Sequence, residues 1–232
     1  MNPYCKEMSS KRVEYLSFLR FNPFFSWDSR YEEDLRNFEE FGDEGNIWFG
    51  RSAEKRILSY ITSNVQKSAC ILDLGCGNGS LLRKLRSSGY LQLTGVDYSA
   101  SAIKLAHRLS NEDQKSGNAI RFEVLDILSP SNSLFSNRYD VVLDKGTWDA
   151  MSLSDDRDCR ILIYKTAVKD ALTYRGKFVI LSCNFTSFRE ELCQLFHDGS
   201  SLVFVTEIPA EHSFTFAGRT GVTSTGVVFE KK

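Results

Sequence analysis

Long apolar runs and an excess of one charge are both missing from this sequence. No apolar stretch approaches the roughly 20 residues that a membrane-spanning helix needs, and the N-terminal residues carry charges where a secretory signal would be apolar. The 29 Lys and Arg residues are balanced by 30 Asp and Glu residues, without a basic stripe. Nucleic-acid binders usually carry such a stripe. We therefore expect a protein of the cytoplasm, or also of the nucleus, with no membrane or nucleic-acid partner.

Paired cysteines and clustered histidines are missing as well. No two of the six cysteines stand at CxxC spacing, and none of the three histidines is grouped with them. This pattern argues against a zinc site and against a disulfide framework, and it is more typical of buried, reduced thiols. The six are Cys5, Cys70, Cys76, Cys159, Cys183 and Cys193. We expect no metal ion in this protein.

Two amphipathic helices are predicted ahead of the first strand. Residues 1–26 show no clear apolar period, and we interpret them as an N-terminal arm on a single domain formed by 27–232. The first helix spans 27–42, with its last residue, a glycine, as the stop signal. The second helix spans 51–66, with Ser52 as its N-cap. The apolar stripe of the first helix is predicted to comprise Tyr31, Leu35, Phe38 and Phe41, with Glu39 as the alternative to Phe41.

Strands and helices alternate from residue 69 onward. Short apolar runs predict five strands, with the sequences ACILDL, LQLTGVD, IRFEVLD, YDVVLD and GKFVILSC. Helical segments follow at about 79–88, 99–110, 157–173 and 187–198. The last two strands, SLVFVTEI and TGVVFEK, have no helix between them, which predicts an antiparallel hairpin at one edge. The fold class is therefore α/β, a Rossmann-like, doubly wound, seven-stranded sheet that is mostly parallel with an antiparallel C-terminal strand.

A glycine-rich turn after the first strand carries most of the chemical information. Its sequence, from Asp73 to Gly79, is DLGCGNG, with glycines at 75, 77 and 79. In a doubly wound fold this turn contacts a nucleotide, because glycines let the backbone approach the ligand. The spacing G-x-G-x-G departs from the dinucleotide pattern G-x-G-x-x-G and favours S-adenosylmethionine over NAD. We predict that Gly75, Gly77 and Gly79 bind this cofactor and that Asp73 receives the ammonium of its amino-acid tail directly or through water.

Two more carboxylates end the next two strands. Asp97 lies 18 residues after the last glycine of the turn, where an acid can accept the ribose hydroxyls. Tyr98 follows it and is included in the predicted cofactor site. Asp126 ends the third strand, where it can accept the adenine amino group while Ile127 packs against the ring. The three carboxylates at three successive strand ends together predict a methyltransferase.

Longer segments resemble a known family. The core is similar to class I, seven-strand S-adenosylmethionine-dependent methyltransferases, and the similarity runs from about Trp27 to the C-terminus. Two segments, WDSRYE at 27–32 with GNIWFG at 45–50, and LDKGTWDAMSL at 143–153, resemble the elongation factor 1-alpha lysine methyltransferases of the methyltransferase-like-10 type. The resemblance implies transfer of a methyl group to a lysine of elongation factor 1-alpha, with S-adenosylhomocysteine as the product of the cofactor.

Residues near the fourth strand are candidates for the reaction itself. Asp144 ends that strand. We include it in the predicted cofactor site and predict a catalytic role for it, in which it holds or orients the acceptor amine or passes its proton to water. The alternative is structural, with Asp144 hydrogen-bonding Thr147 in the turn that follows. Trp48 is predicted to form a wall of the cofactor site. Lys145 is expected to pair with an acid such as Asp149.

Several alternatives stay open at this point. Trp148 can line the acceptor site or pack in the core, and Asn184 can line its mouth. The acceptor can instead be another protein, a small molecule or RNA. The chain can also be a non-catalytic adaptor with the methyltransferase fold, which would bind the cofactor poorly.

Overall fold

The computed structural model describes residues 26–113, 119–129, 139–154, 156–183, 188–210, 214–216, 219–221 and 224–232. The predicted N-terminal arm, apart from its last residue, and Asn184 lie outside these ranges. No helix in the described ranges is both long and apolar enough to cross a membrane.

Two helices precede the sheet, α1 (Trp27–Phe41) and α2 (Gly50–Asn64). The glycine at position 42 ends α1 with a left-handed φ of 71°, as the sequence predicts. The prediction for Phe41 was wrong, because its side chain is 77% exposed. Six residues of helix turn the chain by roughly 240° from Leu35 to Phe41, which takes Phe41 out of the apolar stripe. Ser52 does not cap α2, because the helix begins earlier, after Phe49.

Strands and helices alternate over most of the remaining chain, with bounds close to those that the sequence predicts, except that the fifth strand begins at Leu172 instead of 176. They are β1 (Cys70–Leu74), α3 (Ser80–Ser87), β2 (Gln92–Asp97), α4 (Ala100–Glu112), β3 (Arg121–Val124), β4 (Tyr139–Lys145), α5 (Thr147–Ser152), α6 (Arg157–Ala171), β5 (Leu172–Ser182), α7 (Phe188–Phe196), β6 (Leu202–Ile208), β7 (Phe214–Phe216), β8 (Arg219–Gly221) and β9 (Thr225–Lys231). The short helix α5 and the small β7–β8 hairpin were not predicted.

Seven strands form one sheet in the order β3-β2-β1-β4-β5-β9-β6. The first five of these pair in parallel, and β9 pairs antiparallel with both β5 and β6. The predicted fold class is therefore confirmed. The chain leaves β1 toward β2 and β3 and then returns to β4 on the other side of β1. At such a switch point the connections diverge and leave a crevice at the carboxyl ends of the strands.

Two apolar cores lie on the two faces of the sheet. Residues of α2 and α3, such as Ile57 and Leu82, pack on one face against Ile71 of β1. Residues of α6 and α7, such as Tyr164 and Phe196, pack on the other face, which includes Leu72 of β1. Neighbouring residues of β1 thus point to opposite cores, as the period of a strand requires. Both faces are covered, which keeps the sheet fixed beneath the crevice.

A third, smaller cluster attaches α1 to α4. Leu35 and the partly buried Phe38 of α1 pack against Leu105 and Leu109 of α4. The hydroxyl of Ser99, which caps α4, also donates a hydrogen bond to Asp28 of α1, with 2.6 Å between the oxygens. These contacts place α1 beside the carboxyl end of β2.

Candidate functional site

A cavity of about 770 Å³ lies at the carboxyl ends of the parallel strands. This volume falls within the roughly 300–1,000 Å³ of small-molecule sites. The predicted site residues that line it are Trp48, Gly75, Gly77, Asp97, Tyr98, Asp126 and Ile127. Asp73, Gly79 and Asp144, which were also predicted, are not among the lining residues. The cavity therefore brings together most of the predicted cofactor residues but not the predicted catalytic one.

Gly75 and Gly77 need to be glycine for reasons that the structure makes explicit. Both have left-handed φ angles, of +64° and +54°. A Cβ atom at Gly75 would lie 2.1 Å from Thr147 Oγ1, and one at Gly77 would lie 2.3 Å from the Tyr31 hydroxyl. Gly79 does not line the cavity but packs against the core, because a Cβ there would lie 2.7 Å from the ring of Phe122. The first two glycines leave backbone open to the cavity, whereas the third permits close packing beneath it.

Asp97 is fixed at the end of β2 by backbone amides. Its Oδ2 accepts a hydrogen bond from Gly77 N and its Oδ1 one from Ser99 N, each over 3.0 Å. The residue is 5% exposed, and this burial raises the pKa of its carboxyl above the usual value. A carboxylate has about four acceptor positions, so Asp97 can accept ligand hydroxyls in addition.

Tyr98, Asp126 and Ile127 form the neighbouring part of the wall. Tyr98 is half exposed, and desolvation together with the charge of Asp97 raises the pKa of its phenol to about 12. Asp126 is exposed, and its Oδ1 accepts a hydrogen bond from Leu128 N over 2.9 Å. Ile127 is buried and offers an apolar surface. A polar edge beside an apolar face is the arrangement that a purine ring requires.

Asp73 lies below the glycine turn, within the sheet. It is 3% exposed, and burial raises the pKa of its carboxyl to about 8, although the nearby Lys145 ammonium opposes this shift. It pairs in register with Gly95 and Leu143 of the neighbouring strands and does not line the cavity.

Asp144 is buried and holds the turn between β4 and α5. Its Oδ1 accepts a hydrogen bond from Thr147 N over 2.8 Å, and its Oδ2 accepts one from Trp148 N over 2.9 Å. The hydroxyl of Tyr164 donates to the same Oδ2. Desolvation raises the pKa of Asp144 to about 7, against the effect of these hydrogen bonds. The geometry favours the structural alternative for Asp144 that the sequence left open.

Lys145 connects the end of β4 to the segment before α2 through a hydrogen bond. Its Nζ donates a hydrogen bond to the carbonyl of Trp48 over 3.0 Å. Asp149, its expected partner, instead accepts hydrogen bonds from Ser182 Oγ and Cys183 N. Lys145 therefore lies near an acid as predicted, but that acid is Asp73, whose charge opposes the lowering of the Lys145 pKa by burial. Asp149 is turned toward β5 by α5.

The two tryptophans have different surroundings. The ring of Trp48 lines the cavity and lies against Gly146, where a Cβ atom would come within 2.4 Å of it. Its centroid is 4.6 Å from that of Trp27, in an edge-to-face arrangement. Trp148 is 2% exposed and packs with Tyr164 and other rings of the core. Trp148 is therefore a core residue, which is the second of the two roles that the sequence left open for it.

Some lining residues were missed by the sequence reasoning. Trp27 and Tyr31 of α1 line the cavity. Their sequence signal was the WDSRYE segment and, for Tyr31, its place in the apolar stripe of the helix. Further lining residues stand at the start of α6: Asp156, Cys159, Arg160 and Ile163. Their signal is a spacing of three and four residues on one helix face. In the described part of the chain, no three His, Cys, Asp or Glu residues are grouped so as to hold a metal ion.

This chain matches a domain family and, over most of its length, several individual proteins. Residues 66–215 match a family model described as a methyltransferase domain. EEF1A lysine methyltransferase 2 of Danio rerio is 37% identical over 207 residues, which cover 88% of this chain and 85% of that protein. Protein-lysine N-methyltransferase efm4 of Schizosaccharomyces pombe is 39% identical over 223 residues, covering 88% of this chain and 91% of that protein. The chain belongs to the EEF1A lysine methyltransferase 2 family.

A solved structure shows the same fold for this member of the EEF1A lysine methyltransferase 2 family. The N-methyltransferase NodS of Bradyrhizobium japonicum, in complex with S-adenosyl-L-homocysteine, superposes with a TM-score of 0.61. The match covers 88% of this chain and 97% of NodS, at 16% sequence identity. At this identity the likeness supports the methyltransferase fold and leaves the acceptor to other arguments.

Proposed function

We propose that this protein is an S-adenosylmethionine-dependent protein-lysine N-methyltransferase that modifies a lysine of elongation factor 1-alpha. The observation that carries the proposal is a cavity at the switch point of a methyltransferase fold, in a chain 36–38% identical over most of its length to three proteins named EEF1A lysine methyltransferase 2. Residues 27–232 form the catalytic unit. The protein acts in the cytoplasm on a protein acceptor rather than on nucleic acid.

The residues of the cavity fit the cofactor. Gly75 and Gly77 expose backbone beside which the amino-acid tail can lie, and a Cβ at either position would displace Thr147 or Tyr31, which line the same cavity. Asp97 is placed to accept the ribose hydroxyls, and Asp126 with Ile127 is placed for the adenine. When bound, the cofactor supplies an activated methyl group on a sulfonium sulfur and leaves as S-adenosylhomocysteine. Trp48 completes the wall, where its ring can face a cation.

The acceptor amine must lose its proton before it can attack. A free lysine has a pKa of about 10.4, so only about one in 10³ is neutral near pH 7.4, a handicap of roughly 4 kcal/mol. Apolar walls reduce this handicap, because desolvation disfavours the ammonium. Trp48, Ala150 and Met151 supply such walls in this cavity. Because the carboxylate of Asp144 is buried beneath the turn, it supports the site rather than receiving the proton.

A transfer assay tests this proposal. The protein is incubated with methyl-labelled S-adenosylmethionine and, in separate samples, with purified elongation factor 1-alpha, total RNA or a lysate freed of the factor. We expect acid-stable label on the factor alone, and loss of label with Asp97→Ala. That variant should weaken cofactor binding by about 1.5–3 kcal/mol, because it removes a charged hydrogen-bond acceptor. Label on RNA, or no label with intact cofactor binding, would contradict the proposed acceptor.

A further inference from the structure

One wall of the cavity takes no part in the cofactor contacts proposed above. Asp156, Cys159, Arg160 and Ile163 line it, at the start of α6 and just before it. Their spacing of three, four and seven residues places all four on one face of the helix. We call these four residues the α6 stripe. At about 1.5 Å per residue the stripe extends roughly 10 Å along the cavity.

Asp156 differs from the other two aspartates that line the cavity in the described part of the chain. Asp97 and Asp126 accept hydrogen bonds from backbone amides, which hold them in place. Asp156 accepts hydrogen bonds from side chains, the Ser154 hydroxyl and Arg160 Nε, the latter over 2.6 Å. Side chains can rotate away without breaking secondary structure. Asp156 can therefore exchange its cationic partner for another cation.

The α6 stripe also reaches solvent. The side chain of Asp156 is 56% exposed and that of Arg160 is 38% exposed. An exposed pair four residues apart on a helix contributes little to stability and is weakened by salt, so it is easily opened. A protein acceptor is too large to enter the cavity and must present its lysine from outside. The stripe is thus placed where an incoming side chain passes from solvent into the cavity.

We propose that Asp156 binds the ammonium of the acceptor lysine at the cavity mouth, in exchange for Arg160, while Ile163 packs against the methylene stem. This inference rests on the proposed function, because it concerns the acceptor of the same site. Asp156 selects a cationic side chain, and Arg160 occupies Asp156 when no acceptor is present. The lysine then passes its proton to water as it moves between the apolar walls.

Steady-state kinetics with purified elongation factor 1-alpha test the exchange. Asp156→Asn should raise the KM for the factor about three- to tenfold, with the affinity for S-adenosylmethionine unchanged in calorimetry. Arg160→Gln should lower the KM by about twofold or more, because the competing cation is gone. Asp158→Asn is the matched control, since Asp158 is exposed, lies two residues away and does not line the cavity. It makes the same charge change and should leave both constants as in the wild type.

The outcomes separate this inference from the proposed function. Failure of the wild type to methylate the factor would overturn the function itself. An active wild type with the same KM in Asp156→Asn would overturn only the exchange. The exchange would also be overturned if both variants raised the KM alike, which would mean that the pair is merely structural. Weaker cofactor binding in Asp156→Asn, with the KM for the factor unchanged, would assign the α6 stripe to the cofactor instead.

Discussion

Gly77 and Tyr31 show how a single residue sets the shape of the cavity. A methyl group at Gly77 would collide with the Tyr31 hydroxyl and would require a strained φ of +54°. We expect Gly77→Ala to weaken S-adenosylmethionine binding in calorimetry, with a backbone cost of about 1–2 kcal/mol. Tyr31→Ala in the same chain should restore part of the affinity, because it removes the collision.

Gly42 provides the control for this prediction. It has a φ of +71° and no atom within 4 Å of the added Cβ, so Gly42→Ala carries the backbone strain without the collision. Gly42→Ala should lower the free energy of unfolding in urea but keep the cofactor affinity of the wild type. Equal cofactor affinity in Gly77→Ala and the wild type would show that the turn does not approach the ligand.

Asp144 was predicted to be catalytic, but its hydrogen bonds in the structure favour a structural role. Asp144→Asn cannot accept hydrogen bonds from Thr147, Trp148 and Tyr164 with both carboxyl atoms, because one of them becomes an NH₂ donor. We expect the free energy of unfolding to fall by about 1–3 kcal/mol. Turnover per folded molecule should stay within a few-fold of the wild type. Unchanged unfolding with turnover lost would restore the catalytic role for Asp144.

At the scale of elements, α1 is both a packed helix and a cover of the cavity. Leu35→Ala should weaken its attachment to α4 by about 2–3 kcal/mol, since Leu35 is 8% exposed. Faster hydrogen exchange in α1 and weaker cofactor binding should follow together, because Trp27 and Tyr31 belong to the same helix. Phe41→Ala, at a position 77% exposed, should change neither. Faster exchange without loss of affinity would mean that α1 does not contribute to binding.

The elements themselves could largely be predicted from the sequence. Apolar runs such as that of β1 are buried on both faces, and this burial leaves a clear signal in composition. The turn from Asp73 to Gly79 could be predicted because three of its positions have positive φ angles, which favour glycine. The short helix α5 was missed because six residues carry too little of a helical period.

Contacts between distant parts of the chain left no such signal. Arg56 of α2 is buried and donates hydrogen bonds to backbone carbonyls of Ile208, Pro209 and Ser224. Nothing in the local pattern of α2 distinguishes it from a solvated arginine. The α6 stripe left a weaker signal: its residues keep a spacing of three and four, but Leu162, which lies outside the stripe and is 68% exposed, obscures the apolar period of the helix.

For the whole molecule, burial of acidic groups predicts a dependence of stability on pH. The pKa of Asp73 is raised to about 8 and that of Asp144 to about 7, from 3.8 in both cases. Between about pH 4 and pH 8 the folded chain therefore holds protons that the unfolded chain has released. These two groups therefore lower stability as the pH rises through this window. Urea unfolding at steps from pH 5 to pH 8 should show this fall.

Asp73→Asn isolates one source of that dependence. An amide does not titrate, so the variant should lose less stability between pH 5 and pH 8 than the wild type does. Asp158→Asn, at an exposed position, should follow the wild-type curve. A wild-type stability that rises across the window would mean that both buried carboxyls are ionised in the folded protein.

Tandem mass spectrometry of elongation factor 1-alpha, after incubation with this protein and S-adenosylmethionine, tests the account most directly. We expect methyl groups on the ε-amine of a lysine, absent when the cofactor is left out and strongly reduced with Asp97→Ala. Methylation of a different residue type, or a lysine methylated equally by Asp97→Ala, would contradict the account.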